Sequence, residues 1–396
     1  KGTLSEKGTL SEKGTLSEKG TLSEKGTLST KRARSKKGAF STTQTLWFWA
    51  CHNLCDNTPM SNTVNESIYS PWRFNTAPCM DWSDRHCRYF WRLMTRHTRV
   101  YTEMVTTGAL IHGDRERHLR FNDEEHPVAL QLGGSSPEDL AVAAKMGEEA
   151  GYDEINLNCG CPSDRVQNGT FGACLMRQPL RVRECVAAMN DAVSVPVTVK
   201  HRLGVDDDNS YDIIRDFVGT VAQGGSQVFI VHSRNAWLQG LSPKENREVP
   251  PLKYDWVYQL KRDFPDLTVV INGGITSLEA CAEHLNHVDG VMLGREAYQN
   301  PWLLSQVDHQ LFGAEAPSMS RSELANALLP YLEETLSKGG RINHVLRHVL
   351  GLYQRQPGGK VFRRLLSEGM HREGADTELF RSAVAHTEQM IERRSA

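Results

Sequence analysis

The fold of this 396-residue chain follows from two apolar runs and the segment between them. The runs are Pro196-Val-Thr-Val-Lys-His201 and Gln227-Val-Phe-Ile-Val-His232. Both runs are rich in Val or Ile, which is typical of strands buried on both faces of a parallel sheet. The intervening segment 211–223 has its apolar residues at helical spacing. A strand, a helix and a second strand in this order form the repeating unit of α/β folds.

The same alternation extends in both directions, from about residue 74 to about residue 312. Six further strands are predicted, at residues 74–79, 100–105, 127–132, 153–158, 268–272 and 289–293. Further helical patterns cover residues 140–150, 181–192, 254–262 and 277–285. Eight strands alternating with helices over about 240 residues predict an α/β fold of the (β/α)8 TIM-barrel type. A doubly wound sheet is the alternative, but no G-x-G-x-x-G sequence follows any predicted strand.

The carboxy-terminal part has a different pattern. No strand is predicted beyond about residue 313, and helices are predicted at 324–336, 342–353, 361–368 and 378–393. We therefore expect a barrel over residues 71–312 and a smaller all-α domain over residues 313–396. Residues 341–372 hold seven Arg and Lys against a single acidic residue, Glu368, in a chain whose formal net charge is −2. The overall charge excludes a uniformly basic nucleic-acid binder, whereas this local excess indicates a polyanion-binding surface.

The first 70 residues are predicted to be a disordered, low-complexity tail. Lys-Gly-Thr-Leu-Ser-Glu occurs four times from Lys1, and such a polar repeat buries almost no surface. A translated nucleotide repeat or a fragmentary gene model would also produce it, with Met60 as the true start. Ten basic against four acidic residues give segment 1–37 a charge of +6, so the rest of the chain carries −8.

Cysteine content and hydropathy bear on the cellular setting. The nine Cys are odd in number and lack the paired spacing of a zinc site, so we expect reduced thiols in a cytoplasmic protein without a bound metal. No apolar run approaches the roughly 20 residues that cross a bilayer, so no membrane association is expected. The protein is expected to be a monomer.

The active site of a TIM barrel lies at the carboxyl ends of its strands. The residues at those positions here are Pro78, Cys79, Met80, Glu103, Gln131, Asn158, Lys200, Arg202, His232, Arg234, Asn272, Gly273, Gly274, Gly294 and Arg295. The glycines after strands seven and eight allow backbone N–H groups to approach phosphate oxygens, and Arg295 adds a positive charge. These two turns predict a phosphorylated ligand, with plain tight turns as the alternative.

Three side chains near these ends carry chemistry with more than one interpretation. Lys200 could form a Schiff base, pair with a phosphate or donate a hydrogen bond to an electron-rich ring. His232 could be a core residue or a ligand of the same cofactor. Cys161 lies in a Gly-Cys-Pro turn after strand four and could donate a proton as a thiol or attack as a thiolate, although no His base adjoins it in sequence.

About four-fifths of the chain, from about residue 72, resembles the tRNA-dihydrouridine synthases, and specifically their A subgroup, which acts at D-loop position 20/20a. The matching segments are Ala77-Pro-Cys-Met-Asp-Trp82, Tyr101-Thr-Glu-Met-Val-Thr-Thr-Gly108, Ala129-Leu-Gln-Leu-Gly-Gly134, Asn156-Leu-Asn-Cys-Gly-Cys-Pro-Ser-Asp-Arg-Val-Gln-Asn-Gly169, Val197-Thr-Val-Lys200, Gly240-Leu-Ser-Pro-Lys-Glu-Asn-Arg247, Ile271-Asn-Gly-Gly274 and Gly294-Arg-Glu-Ala-Tyr-Gln-Asn-Pro301.

The resemblance implies a flavin mononucleotide (FMN) barrel in which NADPH reduces the flavin, and uridine then receives a hydride at C6 from the flavin and a proton at C5 from Cys161. It implies FMN contacts at Pro78, Cys79, Met80, Gln131, Lys200, His232, Asn272, Gly273, Gly274, Gly294 and Arg295. It implies tRNA contacts at Asn158, Lys244, Arg247, Lys360 and Arg363.

Three residues depart from the pattern of that family: Cys79 stands where Met is usual, Cys159 where an aliphatic residue is common, and His201 where Thr is common. The thiols of Cys79 and Cys159 are expected to affect the sensitivity of the protein to oxidation more than its function. Three alternative functions stay open. They are an FMN barrel that reduces a free pyrimidine or enone, a class I aldolase that uses Lys200, and a non-catalytic tRNA-binding protein.

Overall fold

The computed structural model describes residues 70–163, 171–208 and 210–395. The predicted tail therefore lies outside the described residues except for Ser70, and residues 164–170 of the loop after the fourth predicted strand lie outside them too. Within the described part, one parallel sheet contains the strands β1 (Phe74–Thr76), β2 (Val100–Tyr101), β3 (Val105–Thr106), β4 (Val128–Gly133), β5 (Glu154–Cys159), β6 (Val197–His201), β7 (Val228–His232), β8 (Thr268–Asn272) and β9 (Gly290–Leu293).

The sheet closes into a barrel. Its strands are hydrogen-bonded in the order β1-β9-β8-β7-β6-β5-β4-β2, and a parallel bridge between Asn75 and Arg99 joins the two ends. The Thr76 N–H donates to the Arg99 carbonyl at 3.0 Å, and the Arg99 N–H donates to the Phe74 carbonyl at 3.1 Å. The predicted (β/α)8 barrel is confirmed, because β2 and β3 together take the place of the second of eight strands.

The second predicted strand, over residues 100–105, is wrong as a continuous element. β2 and β3 each pair with β4, and the ladder breaks between them, after the Thr102 N–H donates to the Ala129 carbonyl at 2.9 Å. There the Thr102 hydroxyl accepts the Gln131 N–H at 3.0 Å and so replaces a backbone acceptor. The first strand also ends earlier than predicted, at Thr76, and Pro78 just beyond it has no N–H to donate to a neighbouring strand.

Helices separate the strands and cover the outside of the barrel. They are α1 (Arg85–Arg92), α2 (Thr107–His112), α3 (Arg115–Leu119), α4 (Pro137–Glu149), α5 (Pro179–Ala192), α6 (Tyr211–Ala222), α7 (Tyr254–Asp263), α8 (Leu278–His284), α9 (Arg295–Gln299) and α10 (Val307–Phe312). The start of α4 follows from its sequence, because the Ser136 side chain accepts the Asp139 N–H and Pro137 occupies the first turn.

The barrel interior contains an apolar cluster and a polar cluster. The apolar cluster consists of Ala77, Tyr101, Ala129, Val228, Ile230, Val270 and Met292. The polar cluster, on β4, β5 and β6, consists of side chains with little or no exposure, which are Gln131, Glu154, Asn156, Asn158 and Thr198. Buried polar groups of this kind must find partners inside the protein, so the polar cluster is held by side-chain hydrogen bonds.

Four helices follow the barrel: α11 (Arg321–Ser337), α12 (Asn343–Val349), α13 (Gly359–Gly369) and α14 (Thr377–Ser395). The helix predicted over residues 342–353 is too long, because α12 ends at Val349 and Gly351 packs closely on the barrel. A Cβ atom on Gly351 would lie 2.4 Å from the Gln299 carbonyl oxygen. None of the helices in the described residues has the length and apolarity needed to cross a membrane.

One carboxylate links the barrel to the carboxy-terminal helices. Asp84 caps α1 by accepting the N–H groups of His86 and Cys87, and it also contacts Arg347 at 2.5 Å and His348 at 3.0 Å on α12. Nearby, the rings of Tyr89 and Tyr331 stack with their centroids 3.9 Å apart. The described residues of the barrel and of the carboxy-terminal helices belong to one compact unit, and a functional division near residue 312 stays a prediction.

Candidate active site

A cavity of about 630 Å³ opens at the carboxyl ends of the strands. Its wall contains every residue that the sequence analysis matched to a cofactor: Pro78, Cys79, Met80, Gln131, Lys200, His232, Asn272, Gly273, Gly274, Gly294 and Arg295. Cys161, Asn158 and Arg247 line the same cavity. Active sites of TIM barrels lie at this end of the strands. That rule correctly predicted that residues more than 200 positions apart in sequence line one cavity.

The glycine turn after β8 is shaped for a close approach of backbone. Gly273 and Gly274 have φ angles of 114° and 73°, in the region that favours glycine. A Cβ on Gly273 would lie 3.3 Å from the His232 ring, and one on Gly274 would lie 2.6 Å from Leu252 Cδ1. The Tyr254 hydroxyl donates to the Gly273 carbonyl at 2.7 Å and holds the turn from outside. Sequence analysis missed Tyr254, which lies 19 residues before the turn.

Arg295 stands beside this turn but already has an acidic partner. Its Nη1 atom lies 2.5 Å from Glu248 Oε1, and its Nη2 donates to the Arg247 carbonyl at 3.2 Å. About a third of the Arg295 side chain is exposed, so the guanidinium is at the mouth of the cavity. Glu248 was not singled out from the sequence, because nothing in its neighbourhood marks it as the partner of a residue 47 positions later.

Lys200 lies at the floor of the cavity with a fixed orientation. Its Nζ donates to Asn272 Oδ1 at 3.2 Å, and Asn272 is itself oriented by donating from Nδ2 to the Met292 carbonyl at 2.7 Å. Burial, with a smaller contribution from the Arg202 charge, lowers the pKa of Lys200 to about 8. At neutral pH the ammonium form still predominates, so Lys200 can donate a hydrogen bond to an electron-rich ligand atom.

His232 is a buried, neutral imidazole among cations. Burial, followed by the charges of Arg202 and Lys200, lowers its pKa well below the usual value. Its Nδ1 is buried and has no hydrogen-bond partner among the described residues. A buried nitrogen of this kind costs free energy. The His232 ring also lines the cavity wall and lies beside the Gly273 turn, so it can contact a ligand in the cavity.

Arg202 braces three loops around the cavity. It is 5% exposed, and its guanidinium donates to the carbonyls of Gly160 at 3.2 Å, Asn235 at 3.3 Å and Asn246 at 2.9 Å. Burial lowers its pKa to about 10, which leaves it charged at neutral pH. The sequence analysis placed Arg202 among the residues at the carboxyl ends of the strands. It did not predict the three hydrogen bonds of the guanidinium, because they join loops that are far apart in the chain.

The two neighbouring thiols face different environments. Cys161 lines the cavity, and its Sγ lies 3.4 Å from Ser163 Oγ. Cys159 is fully buried and belongs to the apolar layer outside the strands, together with Ile155 and Leu157. Burial raises the pKa of Cys159 well above the usual value. Side chains alternate between the two faces of a strand, and Cys159 is on the face opposite to Asn158.

Cys79 also lies in the cavity wall, and burial raises its pKa. The thiolate is the reactive form of cysteine, so the raised pKa values of Cys79 and Cys159 make both thiols slow to react at neutral pH. Met80 beside it is 53% exposed and lies at the cavity edge. Within the described residues, no group of three His, Cys, Asp or Glu side chains could hold a metal ion.

The other residues matched to tRNA lie on the protein surface or within the barrel. Lys244 is exposed and directly precedes the 3₁₀ turn Glu245–Arg247, whose last residue lines the cavity. Lys360 and Arg363 are exposed and lie one turn apart on α13, so they share one face of the helix. Asn158 is 9% exposed, inside the barrel. Arg347 of the basic segment is paired with Asp84.

The fold and the cavity define a TIM-barrel protein with a mononucleotide-sized, positively charged site at the carboxyl ends of its strands. The chain also matches the family model "Dihydrouridine synthase (Dus)" over residues 75–389. It therefore belongs to the dihydrouridine synthase family, whose members are oxidoreductases that reduce uridine in tRNA. The expected family and enzyme class are confirmed.

Several curated proteins are similar to most of the chain. It is 60% identical over 312 residues to a tRNA-dihydrouridine(20/20a) synthase of Pseudomonas aeruginosa, covering 79% of this chain and 94% of that protein. It is 59% identical over 314 residues to the synthase of that name from Vibrio parahaemolyticus, covering 79% and 96%. Among solved structures, morphinone reductase superposes on 64% of this chain and 88% of its own, at 14% identity and a TM-score of 0.44.

Proposed function

We propose that this protein is an NADPH-dependent FMN enzyme that reduces uridine to 5,6-dihydrouridine at position 20/20a of the tRNA D-loop. The single observation that carries the proposal is the convergence of all the residues matched to FMN, together with Cys161, on one cavity. The position in tRNA rests on the names of relatives that are 59–60% identical over nearly their whole length.

The residues of the cavity fit FMN at both of its ends. Gly273, Gly274, Gly294 and Arg295 would receive the phosphate, because backbone N–H groups and a guanidinium are good phosphate donors. Gln131, Lys200 and Asn272 would contact the flavin ring, with Pro78, Cys79, Met80 and His232 completing the wall. A volume of about 630 Å³ is within the usual range for such ligands. When bound and reduced by NADPH, FMN supplies the hydride that adds to C6 of uracil.

Cys161 would supply the proton that C5 of uracil requires. A positioned thiol can act as a general acid, and Cys161 reaches the cavity while Cys159 does not. Asn158 would contact the base, since it lines the cavity two strand positions beyond Asn156. Arg202 holds the loop of Cys161 through the Gly160 carbonyl, and so fixes where the thiol lies.

A uridine must leave the base stack to reach the cavity, so the tRNA needs contacts outside it. Arg247 at the cavity and Lys244 beside it would bind phosphates close to the target base. Lys360 and Arg363 on α13 would bind phosphates elsewhere on the tRNA. We expect the protein to act as a monomer, because one chain carries both the cavity and these basic residues. We expect it in the cytoplasm, because the seven cysteines of the described residues are all free thiols.

The visible spectrum of the purified protein tests the cofactor. The proposal predicts a bound-flavin spectrum that bleaches when NADPH is added under nitrogen, with FMN as the only flavin released on denaturation. A class I aldolase that uses Lys200 would show no flavin, and an enzyme for free pyrimidines would bleach but leave tRNA unchanged. A colourless protein that does not bind added FMN would refute the proposal.

A further inference from the structure

A continuous chain of side-chain hydrogen bonds runs through the polar cluster of the barrel interior, from Glu154 at the start of β5 to the turn that carries Cys161. Its links are Thr198 Oγ1 to Glu154 Oε1 at 2.5 Å, Asn156 Nδ2 to Thr198 Oγ1 at 2.8 Å, Gln131 Nε2 to Asn156 Oδ1 at 2.7 Å and Asn158 Nδ2 to Gln131 Oε1 at 2.8 Å. Every member is at most 9% exposed.

The chain ends on the backbone of the Cys161 turn. Asn158 Oδ1 accepts the N–H groups of Gly160 and Cys161, both at 3.0 Å. These two bonds hold the turn in the conformation that directs Cys161 toward the cavity. The position of the thiol therefore depends on Asn158 keeping its oxygen, and not its NH₂ group, on the side of the turn.

The two ends of the chain fix its direction. A carboxylate can only accept hydrogen bonds, and backbone N–H groups can only donate them. Each amide between the ends can be turned around, but only one arrangement gives every link a donor and an acceptor. We propose that Glu154 is a positioning residue, whose carboxylate sets the direction of this chain and thereby orients Asn158 and the Cys161 turn.

The surroundings of Glu154 predict what happens when the carboxylate becomes an amide. Trp72 Nε1 donates to Oε2 at 2.7 Å, and Arg99 Nη1 lies 3.3 Å from the same atom. In Glu154→Gln these two donors require the amide oxygen on their side, so the new NH₂ group must face Tyr101 and Thr198. The Thr198 hydroxyl then accepts from residue 154, and its own hydrogen keeps a bond only if it donates to Asn156.

That reversal passes along every following link. Asn156, Gln131 and Asn158 must each turn their amide around, and Asn158 would then present its NH₂ group to the N–H groups of Gly160 and Cys161. Two donors facing two donors cannot bond. The mismatch falls at this end of the chain, because Gly160 and Cys161 are partly exposed and can turn to water, whereas a mismatch among the buried links would leave a polar group unpaired, which is expensive. The N–H groups of Gly160 and Cys161 therefore lose their acceptor.

Amide hydrogen exchange, measured by mass spectrometry with fragmentation that resolves single residues, tests the proposal on flavin-saturated protein. In Glu154→Gln we expect the amides of Gly160 and Cys161 to exchange at least about tenfold faster than in the wild type, since two hydrogen bonds are lost. The matched control is Tyr101→Phe, which removes a 2.8 Å bond to the same carboxylate oxygen without changing the chain. In this control we expect both amides to stay within about twofold of the wild-type rate.

A double variant tests the direction itself. Asn158→Asp places an acceptor-only side chain at the far end, so Glu154→Gln/Asn158→Asp has donors and acceptors matched again in the reversed chain. We expect it to restore slow exchange at Gly160 and Cys161. Should Glu154→Gln fail to fold because Arg99 loses its partner, Glu154→Gln/Arg99→Met removes that charge and carries the same prediction.

Unchanged exchange at Gly160 and Cys161 in Glu154→Gln would overturn the proposal, and so would equal acceleration in Tyr101→Phe. Any effect of Glu154→Gln on the rate of dihydrouridine formation depends on the proposed role of Cys161. The exchange measurement does not depend on that role. If Glu154→Gln loses protection at the turn yet forms dihydrouridine at the wild-type rate, Glu154 positions the turn as proposed but does not limit the reaction, and the role of Cys161 is decided by Cys161→Ala.

Discussion

Replacing each of the two neighbouring thiols separates the function of Cys161 from that of Cys159. Cys161 lines the cavity, so Cys161→Ala removes the proposed acid without removing any residue matched to FMN. A positioned general acid contributes about 10²- to 10⁴-fold to rate, or about 3–5 kcal/mol of barrier. We expect dihydrouridine formation in tRNA to slow by that factor, while flavin content and the rate of bleaching by NADPH stay at the wild-type level.

Cys159→Val is the matched comparison. Cys159 is fully buried in the apolar layer between strands and helices, and Val differs from it by little volume. Such a replacement typically costs less than about 1.5 kcal/mol of stability, and it introduces the kind of aliphatic residue that is common in the family. Dihydrouridine formation should stay within about twofold of the wild type.

The assay is single-turnover reduction of an unmodified tRNA transcript by prereduced protein, sampled over time and analysed for dihydrouridine by mass spectrometry. Single-turnover conditions keep product release out of the measured rate. The reasoning is refuted if Cys159→Val abolishes the reaction, or if Cys161→Ala reacts at the wild-type rate with full flavin content.

Three further predictions concern the tRNA surface, the glycine turn and a buried histidine. Replacing both Lys360 and Arg363 with Ala should weaken tRNA binding and reduce the log–log salt slope by about one for each lost phosphate contact, with flavin content unchanged; an unchanged slope would mean that this face does not bind tRNA. Gly274→Ala should yield protein with little flavin, because its Cβ would lie 2.6 Å from Leu252. The control is Gly339→Ala, which should retain flavin, because Gly339 has a φ of 77° and nothing lies within 4 Å of its Cβ position. Equal flavin content in the two variants would contradict the proposed phosphate site. Burial lowers the pKa of His201 to about 4, so the unfolded chain takes up a proton between pH 6.5 and 4 that the folded chain does not, and stability falls as pH drops through this range. From pH 7 to pH 5 this residue should account for about 2 kcal/mol of lost unfolding free energy, and urea unfolding of His201→Thr should show a pH dependence smaller by that amount; an identical pH dependence in both proteins would contradict the assignment.

The strand pattern predicted the barrel because parallel strands buried on both faces leave continuous apolar runs in the sequence. Seven of the eight predicted strands correspond to single strands of the barrel. The second could not be predicted correctly, since the break at Thr102 depends on a side-chain bond to Gln131, on the neighbouring strand. Helix α1 was not predicted either. Its Arg88 is buried, although arginine is typical of surfaces, because it pairs with Glu125 at 2.5 Å.

The site was predictable as far as strand ends determine it. Placing Lys200, His232 and the glycines at one end of the barrel needed only the strand boundaries. Three other features could be predicted only from the register of the barrel strands. They are the direction of the Cys159 side chain, the hydrogen bonds of Arg202 to three loops, and the hydrogen-bond chain that begins at Glu154. Sequence alone does not give that register, since shifting a strand by one residue exchanges its two faces.

Analysis of a tRNA transcript after incubation with the purified protein and NADPH tests whether the protein reduces uridine at position 20/20a. Nuclease mapping with mass spectrometry should find uridine heavier by about two mass units, for two added hydrogens, at position 20/20a and at no other uridine. A transcript with cytidine at those positions should stay unchanged. The account is contradicted if the flavin-loaded, NADPH-reducible protein leaves position 20/20a as uridine, or if it reduces uridines elsewhere instead.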